Sequence, residues 1–300
     1  MPPKVAVIVL NYNGSQDTID CLESLKKSDY PDFEILIVDN ASIDDSRATL
    51  SSWAAAQPFG APAAVLLEST ANKGYAGGNN IGIRRALERG ADYVWVLNND
   101  TVVEGNTLSA LVAAAQENPA IGLAGAALYH HDQPKKPQAL GGGFINPWFG
   151  TSRHETKTGG KQLDYINGAS ILARASMIRQ IGLLDERFFI YWEDADWSLR
   201  ARQAGWALAW VPQARVRHKV GRTVNRGNLL ADYHHALSGL LFFDKHAGQF
   251  FPWTRTAFLT GKLAKRLLSA RWDALEVVLS AARLLRSDAL QTADQNFVKS

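Results

Sequence analysis

The stretch "DYVWVLNNDT" (residues 92–101) decides the fold expected for this chain. Five apolar residues, at positions 93–97, are followed at once by Asn98, Asn99 and Asp100. A near-continuous apolar run is typical of a strand that is buried on both faces of a parallel sheet. The polar triplet then lies at the edge of that sheet, and the question is what kind of ligand needs two amides and one carboxylate.

Strands and helices alternate on either side of this stretch. The pattern predicts strands at 4–10, 33–39, 63–68 and 93–98, and helices at 15–27, 44–56, 81–89 and 105–118. Such an alternation indicates a parallel sheet covered by helices on both faces. Ligands of open sheets of this kind bind beyond the carboxyl ends of the strands. The informative residues are therefore 11–13, 39–42 and 98–100.

The second half of the chain has a less regular pattern. It predicts a flexible loop at 141–150, a strand at 165–174, a helix at 192–205 and short strands at 207–211 and 214–218. Helical patterns follow from about residue 228. We therefore expect an α/β domain at residues 1–225 and a helical C-terminal extension at residues 226–300.

Composition limits the class of protein. Of the 300 residues, 46% are hydrophobic and 20% are charged, which is typical of a globular chain with a large core. The single cysteine, Cys21, excludes an intramolecular disulfide and is expected to be a small core residue. No apolar run has the length of a membrane span or of a signal-peptide core, so we expect a cytoplasmic protein.

Positive charge is concentrated in the last third of the chain. Residues 215–300 contain 14 Lys or Arg and 6 Asp or Glu, a net of +8, whereas the whole chain carries +3. This excess suggests an anionic neighbour, such as a membrane surface or a phosphate-rich substrate. The alternative is a solvated helical face. Nothing in the sequence indicates a nucleic-acid partner.

Two common nucleotide-binding motifs are absent after the first strand. A G-x-G-x-x-G or G-x-x-x-x-G-K-[ST] loop would approach phosphates there, but the chain reads "NYNGSQ" at residues 11–16. In its place, Tyr12 could stack on a base, and Asp39 could accept from a base or a ribose. The alternative is that Asp39 only caps and turns the chain. "NKGYAGG" (residues 72–78) sets Lys73 and glycines at a helix start, where phosphate is favoured.

Three segments carry acids or a histidine that suit catalysis. Asp100 could bind Mg²⁺, with diphosphate supplying most of the negative charge, unless "NND" is only a turn. "WEDAD" (residues 192–196) places acids in the first turn of a helix, which the helix dipole alone would favour. One of them could serve as a general base for a hydroxyl. His218 ends a strand and is a competent metal ligand.

These segments together resemble the inverting glycosyltransferases of family 2 with the GT-A fold, and the rhamnosyltransferase-like branch in particular. Six pieces run in the family's order: "VAVIVLNYNG", "ILIVDNAS", "NKGYAGGNNIGI", "VLNNDT", the long stretch from "INGAS" to "RQAGW", and "VRHKVGRT". They cover roughly residues 4–223. The resemblance implies an α/β fold of the GT-A type, with an open, mostly parallel sheet flanked by helices.

The resemblance also implies a role for each matching residue. Asp194 becomes the catalytic base, and Asp100 and His218 hold a divalent cation, Mg²⁺ or Mn²⁺. The donor nucleotide is assigned to Asn11, Tyr12, Asn13, Asp39, Lys73, Asn98 and Asn99. Gly168, Trp192 and Glu193 are assigned to the acceptor. Asn98 and Asn99 replace acids of many relatives, which puts strict metal dependence in question.

The implied activity is transfer of a sugar from a nucleotide-diphosphate donor to a hydroxyl of a glycan or lipid-linked acceptor. dTDP-rhamnose is the first donor expected, with UDP-sugars as the alternative. Rival readings are a sugar nucleotidyltransferase, which would need an Arg-containing Gly-rich loop, and a non-catalytic sugar-binding subunit.

The C-terminal extension is predicted to place Leu263, Leu267, Leu268, Trp272, Leu275, Leu279 and Leu284 at helical intervals with basic residues between them. Such a helix could lie on an anionic membrane through residues 253–286, at the inner face of the cell membrane. The alternative is packing on the α/β domain or in a homodimer.

Overall fold

The computed structural model describes residues 1–57, 62–157, 162–219 and 229–284. The strands are β1 (Val5–Asn11), β2 (Phe33–Asp39), β3 (Ala63–Glu68), β4 (Tyr93–Asn98), β5 (Thr101–Val103), β6 (Ile121–His130), β7 (Gln133–Leu140), β8 (Gly142–Asn146), β9 (Thr151–His154), β10 (Tyr165–Ile166), β11 (Ser170–Arg174) and β12 (Ala207–His218). The helices are α1 (Ser15–Leu25), α2 (Ser46–Ala55), α3 (Gly74–Glu88), α4 (Thr107–Glu117), α5 (Ala175–Ile181), α6 (Glu193–Gln203), α7 (Leu229–His246), α8 (Phe251–Leu268) and α9 (Trp272–Leu284). A 3₁₀ turn, Gly248–Phe250, precedes α8.

The main sheet has the strand order β3-β2-β1-β4-β11-β6-β12-β5, with β7 paired to β6. In this described sheet six strands run in one direction, and β5, β7 and β11 run against them. The predicted open, mostly parallel sheet is therefore confirmed. Strands β8, β9 and β10 form a second, small antiparallel sheet.

Alternate residues of β1 face two separate hydrophobic layers. Val5, Val7 and Val9 pack in the layer that contains Cys21 of α1, whereas Ala6 and Ile8 face the layer under α3 and α6. Because side chains of a strand alternate between faces, a strand with no polar position is covered on both sides. Cys21 is fully buried, as expected, and burial raises its pKa to about 12.

Three expectations for the second half of the chain are wrong. The predicted loop at 141–150 contains β8, and its glycines serve close backbone pairing: a Cβ on Gly142 would lie 1.8 Å from the carbonyl oxygen of Tyr165. The predicted strand at 165–174 is two strands, β10 and β11, which belong to different sheets. The two short strands predicted at 207–218 are the single strand β12, with an irregularity between Val211 and Arg215.

The C-terminal helices pack on the α/β part through aromatic rings. Phe242 and Phe243 of α7 contact Trp192 at ring-centroid distances of 4.9 and 5.2 Å. The predicted boundary between residues 225 and 226 lies outside the described residues. None of the helices in the described ranges combines the length and the hydropathy that a membrane span requires.

The single helix predicted after residue 261 is interrupted. Ala270 has a positive φ of 51°, and α9 turns back to pack on α7 and α8. Two of the basic side chains expected on a free face instead point inward: Lys262 Nζ lies 2.7 Å from His235 Nδ1, and Arg266 pairs with Asp232. The predicted contact region 253–286 is therefore not one continuous amphipathic helix, and its last two residues lie outside the described part.

Candidate active site

Parallel pairing brings the polar residues after three strands to one edge of the sheet. Asn11 is the register partner of Asp39 across β1 and β2, and Leu10 is the partner of Asn98 across β1 and β4. The turn at Asn99 and Asp100 continues from Asn98 into β5. We call Asn11, Asp39 and residues 98–100 the strand-edge cluster. Its proximity was predicted from the sequence, and the structure brings these residues together.

A chain of hydrogen bonds runs through this cluster. Asn11 Nδ2 donates to Asp39 Oδ1 at 3.0 Å, and Thr18 Oγ1 of α1 donates to Asn11 Oδ1 at 2.8 Å. Asn99 Nδ2 in turn donates to Thr18 Oγ1 at 3.0 Å. Asp39 also accepts from the backbone N–H and the hydroxyl of Ser42. Asn11, Asp39 and Asn99 are buried, so they form the floor of the site and fix its shape.

Residues beside this floor are more accessible. Tyr12 is half-buried, and Asn13 is exposed with a positive φ of 51°. Asn13 Oδ1 accepts from the backbone N–H of Ile43 at 2.8 Å, which ties the β1–α1 loop to the loop after β2. Tyr12 thus has the exposure that stacking on a flat ring requires.

The start of α3 is not an open phosphate site. The backbone N–H of Gly74 donates to Asn72 Oδ1 at 2.9 Å, and that of Tyr75 donates to the carbonyl of Phe189 at 2.6 Å. Gly74 has a φ of 68°, and a Cβ there would lie 2.2 Å from the Phe189 carbonyl oxygen. The expected anion site at this helix start is therefore occupied by the protein itself. Lys73 is exposed, so its ammonium group stays available.

Asp100 and His218 lie side by side. Antiparallel pairing of β5 with β12 sets His218 opposite Thr101, and His218 Nε2 lies 3.0 Å from Asp100 Oδ1. His218 Nδ1 lies 3.0 Å from Gln138 Oε1, and an amide oxygen can only accept. The Nε2 lone pair is then directed at the carboxylate, an arrangement that is repulsive unless a proton or a cation lies between the two atoms. Gln138 has no sequence signal, and sequence reasoning missed it.

This pair fits a divalent cation as two of its ligands. Carboxylate oxygen and imidazole nitrogen are both ligands of Mn²⁺-type ions, and Mg²⁺ accepts the carboxylate together with phosphate oxygens. The side-chain oxygen of Asn98, in the same turn, is buried without a hydrogen-bond partner among the described residues. Within those residues no group of three or more His, Cys, Asp or Glu side chains could hold an ion.

Glu193 and Asp194, which we call the acid pair, begin α6 on the other side of the site. Asp194 Oδ2 accepts from the backbone N–H of Gly168 at 2.9 Å, and its Oδ1 accepts from the N–H of Ala195 at 2.8 Å. Burial raises the pKa of Asp194, and these two donors oppose the rise. Asp194 keeps partial exposure, so its carboxylate can reach a ligand.

Glu193 is in a different environment from its neighbour. Its side chain is 5% exposed, and its Oε2 is buried without a hydrogen-bond partner among the described residues. Burial, and after it the charge of Asp194, raises the pKa of Glu193 well above its ordinary range. Two adjacent carboxylates resist ionising together, and the deeper burial of Glu193 favours the neutral form of Glu193 over that of Asp194. The prediction that Glu193 contacts an acceptor has no support in this burial.

Tyr75 is a site residue that sequence reasoning missed, although it lies inside the quoted "NKGYAGG". Its hydroxyl donates to the carbonyl of Gly168 at 2.7 Å, and a Cβ on Gly168 would lie 3.6 Å from that hydroxyl. Burial, followed by the negative charge of the acid pair, raises the pKa of Tyr75 well above 10. Tyr75 therefore keeps its proton and fixes the turn that holds Asp194.

Trp192 and Asp196 position α6. Trp192 has a φ of 69° and is 6% exposed, with its ring in the aromatic cluster of α7, so the predicted contact between its ring and an acceptor is not supported. Asp196 is fully buried. It contacts Arg200 at 2.8 Å, Lys245 at 2.6 Å and His246 at 2.7 Å. These contacts fasten α6 to α7.

Comparisons with known proteins agree with this architecture. N-acetylglucosaminyl-diphospho-decaprenol L-rhamnosyltransferase of Mycobacterium tuberculosis is 28% identical over 296 residues, covering 89% of this chain and 92% of that protein. The low-salt glycan biosynthesis hexosyltransferase Agl10 of Haloferax volcanii is 27% identical over 206 residues, covering 66% of this chain and 62% of that protein.

A solved structure has the same fold. Mannosyltransferase PcManGT from Pyrobaculum calidifontis, in complex with GDP-Man and Mn²⁺, superposes with a TM-score of 0.61 at 18% identity. The superposition covers 97% of this chain and 83% of that one, and it confirms the predicted GT-A fold. Residues 6–181 match the family model described as Glycosyl transferase family 2. Since that match spans more than half of the chain, this protein is a glycosyltransferase that belongs to glycosyl transferase family 2.

Proposed function

We propose that the protein transfers a sugar from a nucleoside-diphosphate donor to a hydroxyl group, with inversion at the anomeric carbon. The observation that carries the proposal is Asp194: a partly exposed carboxylate, held by the Gly168 N–H at 2.9 Å and set beside the buried acid Glu193. A charged carboxylate with a raised pKa is suited to accept a proton at neutral pH.

In the proposed reaction Asp194 takes the proton of the acceptor hydroxyl as its oxygen attacks C1 of the donor sugar. The new C–O bond forms as the bond between C1 and the diphosphate oxygen breaks on the opposite face. The electron pair leaves with the nucleoside diphosphate. Glu193 keeps its proton throughout, so it adds no second negative charge next to the base.

The donor is proposed to bind along the strand-edge cluster. Tyr12 stacks on the base, Asp39 and Asn11 fix the loops around the nucleoside, and the ammonium group of Lys73 faces the diphosphate. Asp100 and His218 would hold a divalent cation, Mg²⁺ or Mn²⁺. Such a cation supplies positive charge against the charge that develops on the leaving diphosphate.

A rhamnosyl donor is the first candidate, because the Mycobacterium tuberculosis relative is named as an L-rhamnosyltransferase and aligns over 89% of this chain. We therefore propose dTDP-rhamnose as donor and a lipid-linked or glycan hydroxyl as acceptor, in the synthesis of a cell-surface polysaccharide. UDP-sugars are the alternative donors. The cytoplasm, at the inner face of the cell membrane, stays the predicted place of action.

Thermal shift with a panel of nucleotide sugars tests the donor. dTDP-rhamnose, several UDP-sugars and GDP-mannose are added with and without Mn²⁺. A donor at 100 times its Kd stabilises the folded state by about 2.7 kcal/mol, so the right one raises the melting temperature by several degrees. No shift with any of them would contradict the proposal. A shift without donor hydrolysis or transfer would favour the non-catalytic sugar-binding alternative.

A further inference from the structure

Four exposed aromatic side chains lie on two segments that contact each other. Trp148 and Phe149 follow β8, Phe250 ends the 3₁₀ turn before α8, and Trp253 lies in the first turn of α8; their exposed fractions are 59, 62, 49 and 60%. We call these four residues the aromatic patch. The rings of Trp148 and Phe250 are 5.4 Å apart, so the patch joins two segments that are a hundred residues apart in sequence.

Contacts with α8 fix the turn that carries Trp148 and Phe149. Thr254 Oγ1 donates to the carbonyl of Pro147 at 2.6 Å, and Phe258 packs in the aromatic cluster of α7. Gly150 has a φ of 63°, and a Cβ there would lie 2.7 Å from Phe258 Cβ. The turn after β8 therefore packs on α8, and the exposed rings of Trp148 and Phe149 project from it.

The outer face of α8 continues the patch. Positions three or four apart share one face of a helix, and the exposed members of this face are uncharged: Trp253, Thr256, Thr260, Ala264, Leu267 and Leu268. From the first to the last the face is about 22 Å long at 1.5 Å per residue. Trp272, at the start of α9, is 65% exposed and extends its far end.

Charge identifies the partner of this surface. Residues 245–272 contain six Lys or Arg and no Asp or Glu, and residues 141–154 contain Arg153 and no acid. Four of those six contact other side chains of the protein, which leaves two for a partner; the four are Lys245, Lys262, Arg266 and Arg271. Lys265 and Arg153 are exposed beside the uncharged face, and Arg255 is partly exposed. A twofold dimer would set this basic surface against itself, which is repulsive. An anionic lipid surface offers headgroup charge to the cations and an interfacial layer to the rings, which Trp in particular prefers.

We propose that the aromatic patch and the outer face of α8 dock on an anionic lipid bilayer. The surface differs from the one expected from sequence, since it includes Trp148 and Phe149 and excludes the inward-facing Lys262 and Arg266. Docking itself does not depend on the proposed transfer reaction, because it is measured without donor or acceptor.

Vesicle co-sedimentation of the full chain tests docking. The vesicles are pure phosphatidylcholine, and phosphatidylcholine with about a third of phosphatidylglycerol. We expect binding to the anionic vesicles that is at least about fivefold stronger than to the neutral ones, since each cation near such a surface contributes about that factor. Trp148→Ser combined with Trp253→Ser is expected to lower binding about tenfold or more.

Two matched variants make the result specific. Ile43→Ser changes a side chain that is 87% exposed on the β2–α2 loop and is expected to bind vesicles like the wild type. Arg153→Gln with Lys265→Gln is expected to remove most of the preference for anionic vesicles while the weaker neutral binding stays. The five side chains changed in the three variants are all exposed, so the melting temperature of each variant should change little, and measuring it confirms folding.

Several outcomes would overturn the docking proposal. One is equal sedimentation of wild type and the Trp148→Ser, Trp253→Ser variant; another is no binding to either vesicle. A third is a dimer, seen by analytical ultracentrifugation without lipid, that the double tryptophan variant abolishes. Donor-induced thermal shift is recorded on the same samples, so that failure of donor binding and failure of docking are told apart.

Discussion

The strand-edge cluster and the acid pair face the same site but are built in opposite ways. Around Asn11, Asp39 and Asn99 the polar groups bond to one another in a buried chain. At the start of α6, Tyr191 and Trp192 both have positive φ, and a buried carboxyl oxygen of Glu193 has no hydrogen-bond partner among the described residues. A satisfied network gives a rigid shape for recognition, whereas backbone strain and an unpartnered polar atom are kept where chemistry takes place.

The largest effect is expected from removing the base. Asp194→Asn keeps the shape of the side chain and its contact with Gly168 N–H through the amide oxygen, but it cannot accept a proton from a hydroxyl. Turnover should fall by about two to four orders of magnitude. The measurement is steady-state transfer from the donor identified by thermal shift. Near-normal turnover in a folded variant would contradict the assignment.

The next largest effect is expected on the other side of the site. Asp100→Asn removes the charged partner of His218 while the backbone bond between Lys219 N–H and the Asp100 carbonyl stays. Mn²⁺-dependent donor binding should weaken on the order of 100-fold, and binding without metal should change little. Calorimetric titration at two metal concentrations measures both. Equal weakening with and without metal would show that Asp100 acts by shaping the turn alone.

The two amides of "NND" are expected to differ from each other. Asn99 donates to Thr18 inside the buried chain, so Asn99→Asp should lower the free energy of unfolding by about 1–3 kcal/mol, seen as a lower melting temperature. Asn98→Asp places a charge at the unpartnered oxygen and should instead raise Mn²⁺ affinity several-fold. The opposite assignment of the two effects would show that Asn99 is the one that faces the cation.

The smallest effect is expected at the neighbour of the base. Burial already keeps Glu193 protonated, so Glu193→Gln replaces one neutral group by another, and turnover should change less than about threefold. The base Asp194 must be ionised to accept a proton, so activity is lost at low pH. Because the pKa of Asp194 is raised, this loss should begin above about 4, the ordinary pKa of Asp. Activity should therefore fall as the pH drops through the pKa of Asp194, in both the wild type and the Glu193→Gln variant. A large loss in the variant would give Glu193 a direct role.

The strand edge could be predicted because its signal is local. Apolar runs followed by polar residues, as at Asn98, fix both the strand and the edge where it ends, and parallel pairing then brings the edges together. The same reasoning could not find Gln138 or Tyr75. Their roles depend on where distant strands and turns place His218 and Gly168, and nothing in a single stretch of sequence reports that.

The errors of prediction have a common cause. The sequence of β8 resembles a loop because it is rich in glycine, which is common in flexible segments. In the structure these glycines allow the backbone of Tyr165 to approach closely. The helix after residue 261 looks continuous because Ala270 is a good helix former, although tertiary packing of α9 turns the chain there. In each case tertiary contacts override the local signal.

The division of the site between recognition and chemistry is tested most directly by donor titration of the Asp194→Asn variant in the presence of Mn²⁺. If the strand-edge cluster binds the donor and Asp194 acts only on the acceptor hydroxyl, the donor Kd stays within about twofold of the wild type while turnover is lost. If donor affinity falls as far as turnover does, Asp194 belongs to the donor site, and the account of two differently built halves is wrong.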